Sequence, residues 1–375
     1  MGQFHRAAGA VAAPLWASDF DLTPEQLGSV IGVIFVAMIV TQAPMGAALD
    51  RLGTRPVLTF SIALVAVGTY GCLWASGYVG LLIARIAIGV GLASTGVGLY
   101  LILAQNFPRD QFGYLNGLKV TLGGIGGLSA TYPLATLVDI HGWRPVFVGL
   151  TMGTFVLAAL VLWATKSEGV STTEQSEAVP LREILGAQGF IQILILAVVT
   201  YAPIVTITGL WGGPYFTEVH GLSLSTTGAI LFVFFVATMA AGATFGLLDK
   251  RGYPRRATIT VAALTSAAAF GLAAIVGSLG PWLVAALMFV AIFAQNFYIP
   301  LLAELRFVVP DAALGRATSL FSIVAVGAIP VMQTGYGAIV SRAGDAATGH
   351  MLALSAMAAL IATLTLIYLI TTKSR

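Results

Sequence analysis

Of 375 residues, 58% are hydrophobic and only 9% are charged, where soluble domains carry about 45–50% and 25%. So few charges cannot solvate the surface of a water-soluble domain, and the net charge of +3, without a basic patch interleaved with aromatics, speaks against nucleic-acid binding. The single cysteine, Cys72, excludes an internal disulfide and has no metal-ligand companion, so neither a metal nor a cofactor is expected.

The apolar runs are about 20 residues long and apolar on all sides, which fits helices crossing roughly 30 Å of hydrocarbon rather than barrel strands of about 10 alternating residues. In lipid every backbone polar group must be satisfied internally, and a helix does that within its own segment. In chain order the runs predict twelve helices near residues 3–17, 27–48, 56–76, 79–105, 112–136, 144–164, 189–212, 224–247, 256–278, 281–304, 314–338 and 348–371. The long hydrophilic stretch at 165–188 reads as a cytoplasmic linker between a six-helix bundle at 1–164 and another at 189–375. The expected fold is therefore an all-α integral membrane protein of two six-helix bundles.

Charge distribution orients it. Thirteen of the eighteen Lys and Arg residues fall on one set of loops and tails, among them Arg51, Arg55, Lys250, Arg251, Arg255 and Arg256. Arg144 and Arg342 stand on the opposite loops, and the first of those, around Asp19, Asp21 and Glu25, has no basic residue. By the positive-inside rule the richer side is cytoplasmic, which puts both termini inside.

The halves repeat. Gly9, Pro14, Leu22 and Gly28 match Gly209, Pro214, Leu222 and Gly228 at a shift of two hundred, and Pro108 and Gly113 match Pro310 and Gly315 at a shift of 202. Six helices return the chain to the same side, so the repeat is parallel. Helix one has about ten fewer residues before Gly9 than helix seven has before Gly209, so the first span is expected to be truncated at its N-terminus.

Between helices two and three lies GAALDRLGTRP, with Gly46, Asp50, Arg51, Gly53 and Arg55, and a near-copy, FGLLDKRGYPRR, carries Asp249, Arg251 and Gly252. Asp50 can accept from a neighbouring helix N-terminus, and Gly53 permits a tight turn. This loop resembles the G-x-x-x-D-R-x-G-x-R signature of the major facilitator superfamily, and the resemblance covers nearly the whole chain. It implies a two-bundle transporter in which the two loops act as a conformational latch between the halves. In the second copy Phe245 replaces the leading glycine, and an inserted residue moves the basic pair to Arg255 and Arg256. Arg85, Gly89 and Gly91 resemble the R-x-x-x-G-x-G pattern of proton-linked members, with Ile88 in place of the usual glutamine. Helix five lacks the Gly-Pro pair of drug–proton antiporters.

Three basic residues fall inside predicted spans: Arg6, Arg85 and Lys119. Each such charge costs at least about 2.5 kcal/mol to insert and marks a functional site by default. Helix geometry puts Arg6 about 12 Å and Arg85 about 10 Å below the outer end, within reach of one cavity. All fifteen Asp and Glu residues lie in loops or near helix ends, so the deep positive charge favours an anionic partner, which Arg grips in bidentate fashion. Histidine has an unperturbed pKa near neutrality, so His5, beside Arg6, with Arg85 is a candidate for proton coupling. Gln42, Tyr201, Trp211, Gln295, Asn296 and Gln333 are candidate lining residues for the same substrate.

The sequence thus reads as a monomeric inner-membrane secondary transporter, and not an enzyme. It takes a small organic anion by alternating access, with H+ as coupling ion in symport. A drug or metabolite efflux antiporter, and a non-transporting sensor of the same fold, are the alternatives.

Overall fold

The computed structural model describes residues 1–95, 98, 122–164 and 181–371. Its described residues fold as helices without a strand. These are α1 (Gly2–Asp19), α2 (Pro24–Leu52), α3 (Thr54–Leu73), α4 (Tyr78–Ala93), α5 (Tyr132–His141), α6 (Trp143–Ala164), the short α7 (Leu181–Gly186), α8 (Phe190–Val219), α9 (Leu224–Lys250), α10 (Arg255–Ile275), α11 (Pro281–Val308), α12 (Asp311–Arg342) and α13 (Ala346–Thr371). Among the described residues nine helices are long and apolar enough to cross a membrane. Helix α1, at 18 residues, is roughly 27 Å long.

Several ends differ from the hydropathy reading. The fifth helix runs on to His141, and only Gly142, at φ 78°, separates it from α6. Helix α2 starts at Pro24 because Thr23 and Gln26 form a reciprocal capping box there. Helix α8 continues to Val219 through two π turns, Ile207–Trp211 and Tyr215–Val219, on either side of Gly212–Pro214.

Two of the nine long spans among the described residues are broken, each for a local reason. Helix α8 pauses between Ala197 and Ala202, where Pro203 has no N–H to offer the Val199 carbonyl. The Gln295 side chain supplies that donor, bonding Val199 O and, at 3.4 Å, Thr200 O, while its own Oε1 accepts from Ser266 at 2.5 Å. Helix α11 breaks at Asn296–Phe297, four residues before Pro300. One buried amide therefore joins α8, α10 and α11 where two of them are interrupted.

The repeat seen in the sequence recurs in the contacts. Gly9 of α1 meets Gly209 of α8: a Cβ built on Gly9 would lie 2.5 Å from the Gly209 carbonyl oxygen. Gly28 packs on Gln333 and Thr334 of α12, and Gly228 packs on Thr131 and Tyr132 at the start of α5. Those partner pairs differ by 202 positions, the shift already found for Pro108 and Gly113.

Candidate transport site

The paired N-terminal ends of α2 and α9 close one face of the molecule. Thr23 and Ser223 cap these helices in the same way, each side-chain oxygen accepting from the N–H three residues on. The Glu25 N–H donates to Ser341 Oγ of α12 at 3.2 Å, and the Ser225 N–H donates to Asp139 Oδ2 of α5 at 2.9 Å. The first clip maps onto the second by shifts of 200 and 202. Pro24 presses on Gly337 beside Trp211, and further along α2 and α9 the contacts between halves reach Ile39–Gly327 and Met239–Gly124.

Beyond those points the described residues show no further contact of α2 or α9 with the other half. Gln42, Ala43 and Pro44 are exposed, as are Ala243, Thr244 and Gly246. Around Gly46 there is open space where a side chain would stand. Among the described residues the halves are thus joined at the Thr23 face and apart at the face bearing Arg51 and Arg251, both exposed.

At that second face the two loops share their turn, with φ 81° at Gly53 and 76° at Gly252. Arg55 Nε donates to the Leu162 carbonyl at the end of α6, and Arg256 Nη2 donates to the Leu369 carbonyl near the end of α13. A cation at a helix C-terminus also meets the negative end of the helix dipole. Arg55 therefore braces its own half in this conformation, and Arg256 is its counterpart. Asp249 pairs with Arg255 at 2.5 Å. The side chain of Asp50 lies outside the described set, as does Lys119 altogether.

Of the deep basic residues, Arg85 is buried, with 3% of its surface exposed. Its guanidinium lies over the Trp16 ring, 5.4 Å from the centroid, and Trp16 is fixed edge-on against Trp143 and Phe147. Cation–π attraction offsets part of the desolvation, but the Arg85 Nε has no hydrogen-bond partner. Gly89 and Gly91, four and six residues on, let α4 press against the Ile34 carbonyl of α2 and the Ser61 carbonyl of α3. That wedge sets the position of Arg85. Arg6 is half-buried, with Nη2 3.7 Å from the Met38 sulfur and Nε unpartnered. His5, next to it, is buried and within electrostatic range of Arg85. Among the described residues neither arginine has a carboxylate within ion-pair distance; the two ion pairs are Arg144–Asp19 and Arg255–Asp249.

The other lining candidates divide. Tyr201 stands at the α8 break, 6.1 Å from Tyr298, which in turn is 5.4 Å from Phe321. Asn296 lies at the α11 break and bonds back to the Ile292 carbonyl. Gln295 is fully engaged by protein groups, as described above. Trp211 donates to the Gln333 carbonyl at 3.0 Å and stacks on Tyr336. Gln333 Nε2 reaches Val205 O at 3.3 Å, whereas its Oε1 is buried without a partner. Trp16, Asp139 and Ser341 were not singled out from the sequence. A signal for the clips existed in the matched T-x-x-Q and S-x-x-T caps, two hundred residues apart.

An all-helical chain with broken spans, a pseudo-repeated seam and unpaired basic residues in its interior has the make-up of a multi-pass membrane transporter. The family model of the Major Facilitator Superfamily matches residues 3–329, and the chain belongs to that family. It is similar to a putative metabolite transport protein of Haemophilus influenzae, 32% identical over 152 residues, which are 40% of this chain and 36% of that protein. It is also similar to a hexuronate transporter of Bacillus subtilis, 22% identical over 262 residues, 67% of this chain and 62% of that one. The chain spans 22% to 62% of the length of such curated relatives. In fold it is similar to a D-xylose-proton symporter, with a TM-score of 0.80 and 17% identity over 98% of this chain and 94% of that one. Members of this family are transporters and not enzymes.

Proposed function

We propose that this protein is a secondary active transporter of the inner membrane that moves a small organic anion by alternating access between two six-helix bundles, residues 1–164 and 189–375, joined by the linker at 165–188. The observation that carries the reading is the pair Arg6 and Arg85. Two guanidinium groups sit among apolar helices with buried donors unused and no acidic partner among the described residues. An anion completes such a site, because each bare charge is costly and Arg binds carboxylates in bidentate fashion. That the hexuronate relative's name denotes a carboxylate-bearing sugar lends support.

Tyr201 and Asn296 complete the site from the other half, where broken helices free backbone groups for a ligand. Thirteen of eighteen basic residues favour a cytoplasmic location for the Arg51 face. On that orientation the separation at the Arg51 face supports reading this conformation as inward-open, with Arg6 half-buried and Arg85 buried. The latch of Gly46, Asp50, Arg51, Gly53 and Arg55, with Asp249, Arg251 and Gly252, then engages when this face closes, which accounts for the space left around Gly46. Import of an anion against an inside-negative potential costs about 2.3 kcal/mol per charge per 100 mV, so uptake runs with a co-transported H+, for which His5 beside Arg85 is the candidate carrier.

The test is uptake in proteoliposomes under an imposed proton gradient with a panel of carboxylates and neutral sugars. Arg6→Gln and Arg85→Gln should each abolish carboxylate uptake while leaving the protein folded. Unchanged anion uptake in both variants would overturn the assignment.

A further inference from the structure

Asp19 ends α1 with a charge that its own helix opposes. A carboxylate in the last turn meets the negative end of the helix dipole, and no basic residue stands in that turn to offset it. What holds the side chain there comes from α6. Asp19 Oδ2 accepts from Trp143 Nε1 at 2.8 Å and pairs with Arg144 Nη1 at 2.9 Å. The Arg144 guanidinium also lies over the Trp143 ring, 4.7 Å from its centroid. From Trp143 the contacts run inward. Phe20 and Phe147 pack edge-on against it, with centroids 6.2 and 5.5 Å away, and Trp16 stands edge-on to it at 6.3 Å. The Trp16 N–H is buried without a partner, so this ring takes its orientation from packing alone. Arg85, over the Trp16 ring, has an unpartnered Nε and no ion pair among the described residues.

We propose that Asp19 and Trp143 are positioning residues for Arg85, acting through Trp16. The carboxylate sets the first indole, that indole sets the second, and the second ring sets the guanidinium. The proposal rests on the reading of Arg85 as part of the anion site. The hydrogen bond at the outer end of the column is to an ionised acceptor, the stronger kind, and Trp143 itself is 5% exposed, so the column starts from a firm anchor. Without it the Trp16 ring is free to tilt, and Arg85 loses the cation–π attraction that orients it. A long side chain released in this way has to be ordered again each time an anion binds, which lowers affinity for the anion. Two residues that never touch the substrate thereby determine how well it is gripped.

The test reads Arg85 directly, by nuclear magnetic resonance of the full chain in detergent with isotope-labelled arginine. The Arg85 Nε–H resonance is assigned by its loss in Arg85→Gln and should be displaced by the Trp16 ring current. Trp143→Phe, which keeps a ring but no N–H, and Asp19→Leu should each move it towards the position of free arginine. Asp19→Asn keeps an acceptor for the indole and should leave the resonance in place, as should Arg144→Gln, which removes the ion pair alone. In proteoliposomes, uptake of D-glucuronate should show KM raised about tenfold by Trp143→Phe and by Asp19→Leu, with kcat nearly unchanged. A resonance unmoved in both of those variants would overturn the proposal. One that Arg144→Gln moves as far would also overturn it, since the corner would then be a plain structural brace. So would a moved resonance with KM for D-glucuronate unchanged. Wild-type protein that takes up no carboxylate would overturn the anion reading instead, and the resonance would still decide whether Asp19 and Trp143 position Arg85.

Discussion

Among the described glycines, those at the crossing of α1 with α8 make the tightest approach between the two halves, which gives a graded prediction. Pro14 leaves the Ala10 carbonyl without its helical donor, and Gly213 of α8 comes against that oxygen so closely that a methyl group there would collide with it. A Cβ on Gly9 would stand 2.5 Å from the Gly209 oxygen, and one on Gly209 would stand 3.2 Å from the Arg6 oxygen. Gly149, on α6, has nothing within 4 Å. In a helix Gly→Ala alone gains about 1 kcal/mol, whereas overpacking a close contact costs about 1–3 kcal/mol. Backbone oxygens cannot swing aside as side chains do, so the upper end applies at Gly213. The expected order of stability is Gly149→Ala above wild type, Gly209→Ala near it, then Gly9→Ala, and Gly213→Ala lowest. Thermal unfolding in detergent, followed by tryptophan fluorescence, reads this directly. Gly213→Ala as stable as Gly149→Ala would refute the packing argument.

Three further outcomes follow. Gln295→Leu leaves the Val199 carbonyl and the Ser266 hydroxyl without their partner, and should cost about 1–3 kcal/mol of stability in the same unfolding assay. Combining Asp139→Ala with Ser341→Ala removes both clips of the closed face, about 0.5–1.5 kcal/mol for the neutral one and about 1.5–3 kcal/mol for the one on the carboxylate, and should shift spin-label distances across that face towards the open state. Asp345, ahead of α13, accepts from the Thr348 N–H and hydroxyl, which hold its carboxyl below the ordinary 3.8. The carboxylate's stabilisation is then fully present above that ordinary value and is lost as pH falls through the lower folded one. Unfolding of Asp345→Ala should accordingly converge with wild type only in strong acid.

Much of the membrane fold was legible because hydropathy and charge report directly on lipid and water. The repeat was legible too, since Gly9 and Gly209 stand where α1 crosses α8 and the two backbones come close. Helix ends were less so: α2 begins at a side-chain cap and α8 runs on through π turns, neither of which hydropathy records. At the site, spacing put Arg6 and Arg85 at similar depth but said nothing of lateral neighbours, so the Trp16 ring beneath Arg85 was not foreseen. Gln295 read as a lining residue because an intramembrane amide has no sequence mark telling substrate from a carbonyl freed by a distant proline. The partner of Arg55 was likewise hidden, because a backbone carbonyl at Leu162 carries no side-chain signature.

The two clips at the closed face match in position but not in chemistry. One ends on a neutral hydroxyl, Ser341, and the other on a carboxylate, Asp139, and a hydrogen bond to an ionised acceptor is roughly twice as strong as a neutral one. A seam with one firm and one soft edge does not part evenly. Separation would start between α2 and α12 while α9 still holds α5, so the halves would swing like a door about the Asp139 side. Replacing Ser341 with Asp would make the edges alike, and paired distance measurements across the two edges should then change in step instead of in sequence.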